Sequence, residues 1–417
     1  MLSLATAVTI ATASSPVRLA ELLDEARKNN PELQSAHEQA KTAASSVAPA
    51  GALDDPMLMV QLWNAPIDFS TVPIMIQLSQ SLPLGDKRAA RRDIASGEAA
   101  AVRASVLGKV RDIEAAVAKA YFDLYLADRT QEADEEIEGA LRSLIAAASA
   151  RVAAGKGEQA DALRAQSELL KVQSDKEAVG AKRVAANTKL VALLNRPPGS
   201  EIGNTTEPGM VDAVPDLVQL QDQALRERPE VAAAAGTVAQ AEGKLRLAQA
   251  ERAPDISVFV AEMHSFRMPG IKDFLFIGVQ GSLPIWGGSK NGPRIDAATS
   301  QLSAVRGDAK ALENRIVSEV ADAYAELRAE RRQVEVHHQL IPVARQALAS
   351  ASAAYASGRG SFLMVLDSER DLLMHELDLA THLALYEQHL AELQRVVGVD
   401  LGVTKAAESG IRERHRP

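Results

Sequence analysis

Acidic residues collect just after two glycine-containing turns. Glu158 and Asp161 follow Gly155-Lys-Gly157, and Asp367, Glu369 and Asp371 follow Gly358-Arg-Gly360. Carboxylates so placed could hold cations, with Asp367 and Asp371, four apart on one helix face, the preferred pair. The plainer alternative is a solvated helix start whose acids meet the helix dipole. A second set is His375, His382 and His389, spaced by seven. Chelation of one ion from a single helix needs i, i+4 spacing, whereas seven residues rise about 10 Å. These histidines therefore read as a polar seam, and no metal site is expected. Met57, Met59, Met263 and Met268, with His264, carry soft donors suited to copper(I) or silver(I). Methionines in strands, however, more often pack or face lipid. Cysteine is absent, which leaves no disulfide, thiolate metal site or thiol nucleophile, and no lipidated cysteine is expected. With no nucleophile–base set and no phosphate loop, the chain reads as a non-enzyme that needs no cofactor.

The elements that must position these groups come in two copies. Leu19, Leu22, Asp24, Ala26, Pro31 and Glu32 meet Leu217, Leu220, Asp222, Ala224, Pro229 and Glu230 at an offset of 198, and Pro56 meets Pro254. Ser81-Leu-Pro83 meets Ser282-Leu-Pro284 at 201, and Val117, Ala120, Tyr121 and Gly155 meet Val320, Ala323, Tyr324 and Gly358 at 203. So small a drift indicates duplication with short loop insertions.

Each copy opens with a helix, roughly 17–50 and 215–252, and continues into a hairpin. In the second strands Ile74, Ile76 and Leu78, like Leu275, Ile277 and Val279, alternate with small or polar residues. That pattern suits lipid on one face and water on the other. Half of all the aromatics lie in the two hairpin regions: Trp63, Phe69, Phe259, Phe266, Phe274, Phe276 and Trp286. Beyond Pro83 the steps of three and four through Val102, Val106, Val110, Ile113, Val117, Ala120 and Leu124 mark a coiled-coil seam. Helices are expected over about 88–153 and 159–194, and again over about 295–357 and 362–397. A helix of about 65 residues spans about 100 Å, and the two shorter helices of each copy, stacked end to end, match it. Pro342 lies inside the second long helix, aligned with Gly139 in the first. It removes a backbone hydrogen bond, so a bend is expected there.

The predicted boundaries are a leader or disordered start at 1–16, a first repeat at 17–205 and a linker at 206–216. A second repeat follows at 217–400, with a disordered tail at 401–417. The hairpins occupy about 56–83 and 254–286, and the turns 153–160 and 356–361. A net charge of −9 argues against nucleic acid, whose phosphates need a basic face. No run of 18 or more apolar residues is present, so no transmembrane helix is expected. Four strands cannot close a barrel, and open edges in lipid strand backbone groups at several kcal/mol each. Membrane strands thus require an oligomer, two chains for eight strands or three for twelve. Three is the expectation, giving six quasi-equivalent units around one axis, although the strand arithmetic alone permits two.

Taken in order, the Pro31-Glu32 and Pro229-Glu230 openings and the Ser-Leu-Pro strand ends carry a resemblance to a known family. Ala-Tyr121, Ala-Tyr324 and the turn segments Arg151–Gly155 and Ala354–Gly358 extend it. Over about 17–400 the chain resembles the TolC-type outer-membrane efflux proteins. The Asp54-Asp-Pro-Met57 and Ser81–Arg88 segments are similar to members paired with metal-cation resistance-nodulation-division pumps. The resemblance implies a mainly α chain with a small β portion, forming one third of a trimeric α-helical barrel. That barrel joins a 12-stranded transmembrane β-barrel with four strands per chain. It implies a homotrimer in the lipid bilayer, with a periplasmic adaptor and an inner-membrane pump as partners. It also places the turns at the periplasmic entrance, where threefold symmetry would make rings of Asp161, Asp367, Glu369 or Asp371. Val152, Gly155, Gly157, Leu163, Tyr355, Gly358, Gly360 and Leu366 would then meet the adaptor. The alternative is a soluble Ala-rich coiled-coil scaffold.

Overall fold

The computed structural model describes residues 16–62, 73–155, 158–211, 213–264, 273–283 and 286–401. Gly157, Trp63, Phe69, Phe266, Met268, Pro284 and both chain ends lie outside the described residues. Eight α-helices and four strands follow one another in the described chain. The order is α1 (Leu19–Asn29), α2 (Pro31–Ala50), β1 (Met57–Leu62), β2 (Ile74–Pro83), α3 (Lys87–Ala153) and α4 (Gln159–Leu193). The second half has α5 (Leu217–Glu227), α6 (Pro229–Ala250), β3 (Asp255–His264), β4 (Phe274–Gly281), α7 (Gly292–Ala356) and α8 (Phe362–Val397). The opening helix of each copy is two helices rather than the single one expected. Proline pushes the residue before it out of the helical region, and Asn30 and Arg228 are both extended, at ψ 123° and 126°. Asn30 turns this break into a cap: its side-chain oxygen accepts from the Glu32 and Leu33 amides while its Nδ2 donates to Leu193 O.

The residues form two compact units, to which both repeats contribute. The turn unit comprises the chain through Gln34, Gly108–Arg228 and Ile316 onward; the strand unit comprises Ser35–Leu107 and Pro229–Arg315. In the turn unit the core gathers Leu22, Ala26, Val117, Ala120, Tyr121, Leu124, Leu190 and Leu194. Tyr121 is fully buried, and burial raises its phenol pKa. Its hydroxyl donates to Val17 O and accepts from the Thr206 amide, so the Ala-Tyr pair pins the segment that leads into the second repeat. The duplicated positions are buried alike: Leu220, Ala224, Val320, Ala323, Leu393 and Val397 repeat the pattern.

Glu387 of α8 is 4% exposed, and burial pushes its carboxyl up to about 8 from 4.5. The folded state thus holds this proton more tightly than the unfolded chain. Its contribution to stability is complete below about pH 4.5 and is lost as pH rises towards 8, at up to about 1.4 kcal/mol per unit. Glu387→Gln is expected to flatten that decline, read as melting temperature between pH 5 and 8.5. An unchanged pH slope would refute the assignment.

The strand unit holds one antiparallel sheet in the order β1-β2-β3-β4, with β2 and β3 joining the two repeats. Register sorts its two faces. Leu58, Leu78, Val260 and Ile277 form one row, and Val60, Ile76, Glu262 and Leu275 the next. Both rows are exposed, Ile277 to 82%, and Glu262 is the single charge within them. Gln61, Gln77, Ser79 and Ala261 lie on the other face, together with Met57, Met59, Met75 and Met263. The strand methionines therefore do not belong to the aliphatic rows.

In the same unit α3 and α6 run past one another with their backbones nearly touching. A Cβ on Gly97 would lie 2.5 Å from Gln240 N, and one on Gly236 would lie 2.6 Å from Ala101 N. Lys87, only 4% exposed, ties the start of α3 to the start of β3. Its Nζ lies 2.6 Å from Asp255 Oδ1 and 2.7 Å from Ala253 O.

Candidate functional site

The two turns of the turn unit are built by helix ends. Gly155 and Gly358 adopt φ of 69° and 75°, the left-handed conformation that ends a helix at little cost to glycine. After Gly358 the chain re-enters helix through Ser361, whose hydroxyl accepts from the Met364 amide. A small core of Ala148, Ala165 and Phe362 supports these ends, with Tyr355 and Leu366 packed on it. The Tyr355 ring meets Phe362 edge-on at 6.1 Å, and the Arg151 guanidinium lies 4.5 Å over its face. Tyr355 and Leu366 are thus held in place, Val152 and Gly360 are half-buried, and Leu163 projects at 57% exposure. Phe362 was not singled out from the sequence. A lone aromatic at a helix start carries no signal until its tyrosine neighbour is known.

The carboxylates divide into two kinds. Asp161 lies in the first turn of α4, where the dipole accounts for it. Asp367 and Asp371 lie beyond the first turn of α8, which holds no acid. Both are exposed, and neither pairs with a described cation. Glu369 is half-buried, and burial followed by Glu376 raises its pKa. Gly139 and Pro342 sit inside α3 and α7, which continue through them.

Farther along α8 the histidines line up against α7. His389 Nδ1 lies 3.1 Å from Glu326 Oε2, and His382 Nδ1 lies 2.7 Å from Glu330 Oε2. The next rung is His337 of α7, whose ring lies 5.3 Å from His382 and 5.6 Å from His375. Burial lowers the His337 pKa; Asp378 opposes that fall, while His382 and His375 add to it. The seam expected along α8 is therefore a two-helix ladder. Its α7 members were missed because the spacing rule was applied to one helix at a time.

No described helix is long and apolar enough to cross a membrane, a fact that does not bear on the strands. A family model described as outer membrane efflux protein matches residues 22–196 and 220–399. The chain is 24% identical over 395 residues to the cobalt-zinc-cadmium resistance protein CzcC of Cupriavidus metallidurans, covering 93% of this chain and 91% of that one. It is also similar to the solved outer-membrane channel OprN, with a TM-score of 0.79, 18% identity and coverage of 92% and 90%. A crystal structure of CusC, described in terms of transmembrane channel formation, gives a TM-score of 0.78, 18% identity and 92% coverage of both chains.

Proposed function

The chain belongs to the outer membrane efflux protein family, and from that premise we propose that three copies assemble into a duct serving an adaptor and an energised inner-membrane pump. As a family member the protein is an outer-membrane efflux channel, which conducts and does not catalyse. The scaffold alternative finds no support. The observation that carries the assembly is the sheet itself, four strands whose outer edges, β1 and β4, have no further strand beside them among the described residues. An open edge cannot persist in lipid, and three such sheets make twelve strands, an even number within the range of bacterial barrels. The rows through Leu58–Ile277 and Val60–Leu275 would then face acyl chains, leaving Gln61, Gln77 and Ser79 to the water-filled side.

Metal cations are the proposed cargo, on the strength of the resistance protein of similar sequence. Asp367 and Asp371 would ring the axis near the turns as a cation-selective constriction. They are exposed, unpaired with described cations and unexplained by the dipole. Leu163, with the turn residues around Gly155 and Gly358, would receive the adaptor.

The reading is tested by extracting the protein from the outer membrane in detergent, measuring its mass and reconstituting it in planar bilayers. A particle of three 44.4 kDa chains with cation-selective conductance is expected. Asp367→Asn with Asp371→Asn should lower the cation-to-anion permeability ratio several-fold. A monomeric or dimeric particle would overturn the assembly, and unchanged selectivity would overturn the gate.

A further inference from the structure

We propose that His337, His375 and Asp378 form a binding site for a divalent cation of the zinc class, one per chain, between α7 and α8. One ring nitrogen from each histidine and one carboxylate oxygen of Asp378 all lie within 4.8 Å of one another. Zinc bound at about 2.0–2.1 Å in a tetrahedron needs its donors about 3.4 Å apart, so the donors must close by up to about 1.4 Å on binding. His375 and Asp378 are three apart on α8 and share a face, and His337 arrives from α7. The site therefore does not meet the rise that prevents His375, His382 and His389 from sharing an ion.

The second observation is the state of the imidazoles. His337 is 7% exposed, and the Nδ1 atoms of both His337 and His375 are buried with no hydrogen-bond partner. Buried polar atoms in folded proteins are nearly always satisfied, and an orphaned one calls for an explanation such as an ion. A cation held between the two imidazoles and the Asp378 carboxylate would account for both orphaned nitrogens at once. Two imidazoles and a single carboxylate suit zinc, cobalt or nickel better than calcium or magnesium, which take oxygen ligands. Three protein donors leave a fourth position open. Alongside the site, Glu330 engages His382 Nδ1, which leaves the opposite ring nitrogen unprotonated when the imidazole is neutral.

The site lies about 21 Å along α8 from Ser361 and one turn beyond Asp371. The inference rests on the packing of α7 against α8 and not on the conduction reading, so either can fail alone. Full-length protein in detergent, stripped by chelation, is titrated with zinc sulfate in a calorimeter and with cobalt(II) by visible absorption. One ion per chain and the intense visible bands of four-coordinate cobalt are expected. His337→Ala and Asp378→Asn should each weaken zinc binding at least 100-fold, while His338→Ala, at the exposed neighbour, should leave it unchanged. Where His337→Ala fails to assemble, His375→Gln gives the same reading. Wild-type affinity weaker than about 1 mM, or zinc binding retained in the assembled variants, would overturn the site.

Discussion

Leucine at Gly97 or Gly236 is expected to leave almost no assembled protein in the outer membrane, and alanine at either position to lower the melting temperature sharply. The cause is the approach of α3 to α6. An added Cβ at Gly97 would meet Gln240 N at 2.5 Å, Gln240 Cα at 2.9 Å and Gly236 O at 2.9 Å. At Gly236 it would meet Ala101 N at 2.6 Å and Gly97 O at 2.9 Å, and at Gly243 it would meet Ile94 N at 2.9 Å. The clashing atoms belong to backbone, which cannot rotate away as a side chain does. Separating the helices would also surrender the contacts around them. Overpacking of this kind costs about 1–3 kcal/mol for a methyl group and more for a larger side chain. Gly139→Ala is the control. Nothing lies within 4 Å of an added Cβ there, and alanine favours helix by up to about 1 kcal/mol. Equal damage from all three alanine variants would mean that close approach is not the reason for the glycines.

The second large effect is expected at Asp255. Among the described residues its carboxylate is the only anion against the buried Lys87 ammonium, which otherwise reaches Ala253 O. Asp255→Ala leaves that charge uncompensated, a change that typically costs about 3–5 kcal/mol. The exposed edge of the pair reduces the loss, since Asp255 itself is half open to water. Lys87→Met alone should be milder, because methionine fills the same space without a charge to satisfy. The double variant should then be more stable than Asp255→Ala, with a coupling of about 1–3 kcal/mol in a double-mutant cycle. Melting of the purified protein provides the measurement, and additivity would remove the claim. The site is sensitive because the Asp255 amide also donates to Ser282 Oγ while Asp255 O accepts from the Ser282 amide. Damage to the pair should therefore spread into the ends of β3 and β4.

What the chain reveals before folding differs by kind of feature. Val117, Ala120 and Leu124 mark a buried seam because helical periodicity is local, and their partners at 320 and 323 repeat it. The even–odd alternation of Ile76 and Leu78 is equally local, and register then extends it across four strands. Asn30-Pro31 carried the break between α1 and α2 in plain view, since proline restricts its predecessor. The expectation of one helix over about 17–50 overlooked that restriction. By contrast, nothing in sequence distinguishes Gly97 and Gly236 from Gly139, because what matters is a helix more than 130 residues away. His337 is hidden for the same reason: its meaning depends on His375 and Asp378 from another helix. Local chemistry was legible, and chemistry assembled between segments was not.

The pairing of β2 with β3 has a consequence for how the chain acquires its structure. Ile74 sits opposite His264, 190 residues later, so the middle of the sheet is among the most non-local contacts in the protein. Loop-closure entropy must be met before such contacts return anything, which makes them late and slow. The helices, by contrast, draw on neighbours three and four residues away. Synthesis of the first repeat alone therefore yields a hairpin whose inner partner does not yet exist. An aliphatic row such as Leu58 and Leu78 would be exposed throughout that interval, an aggregation hazard of the kind unpaired strand edges create. The duplication that supplies the strands thus also sets a timetable, in which the sheet is completed only after the second repeat has emerged.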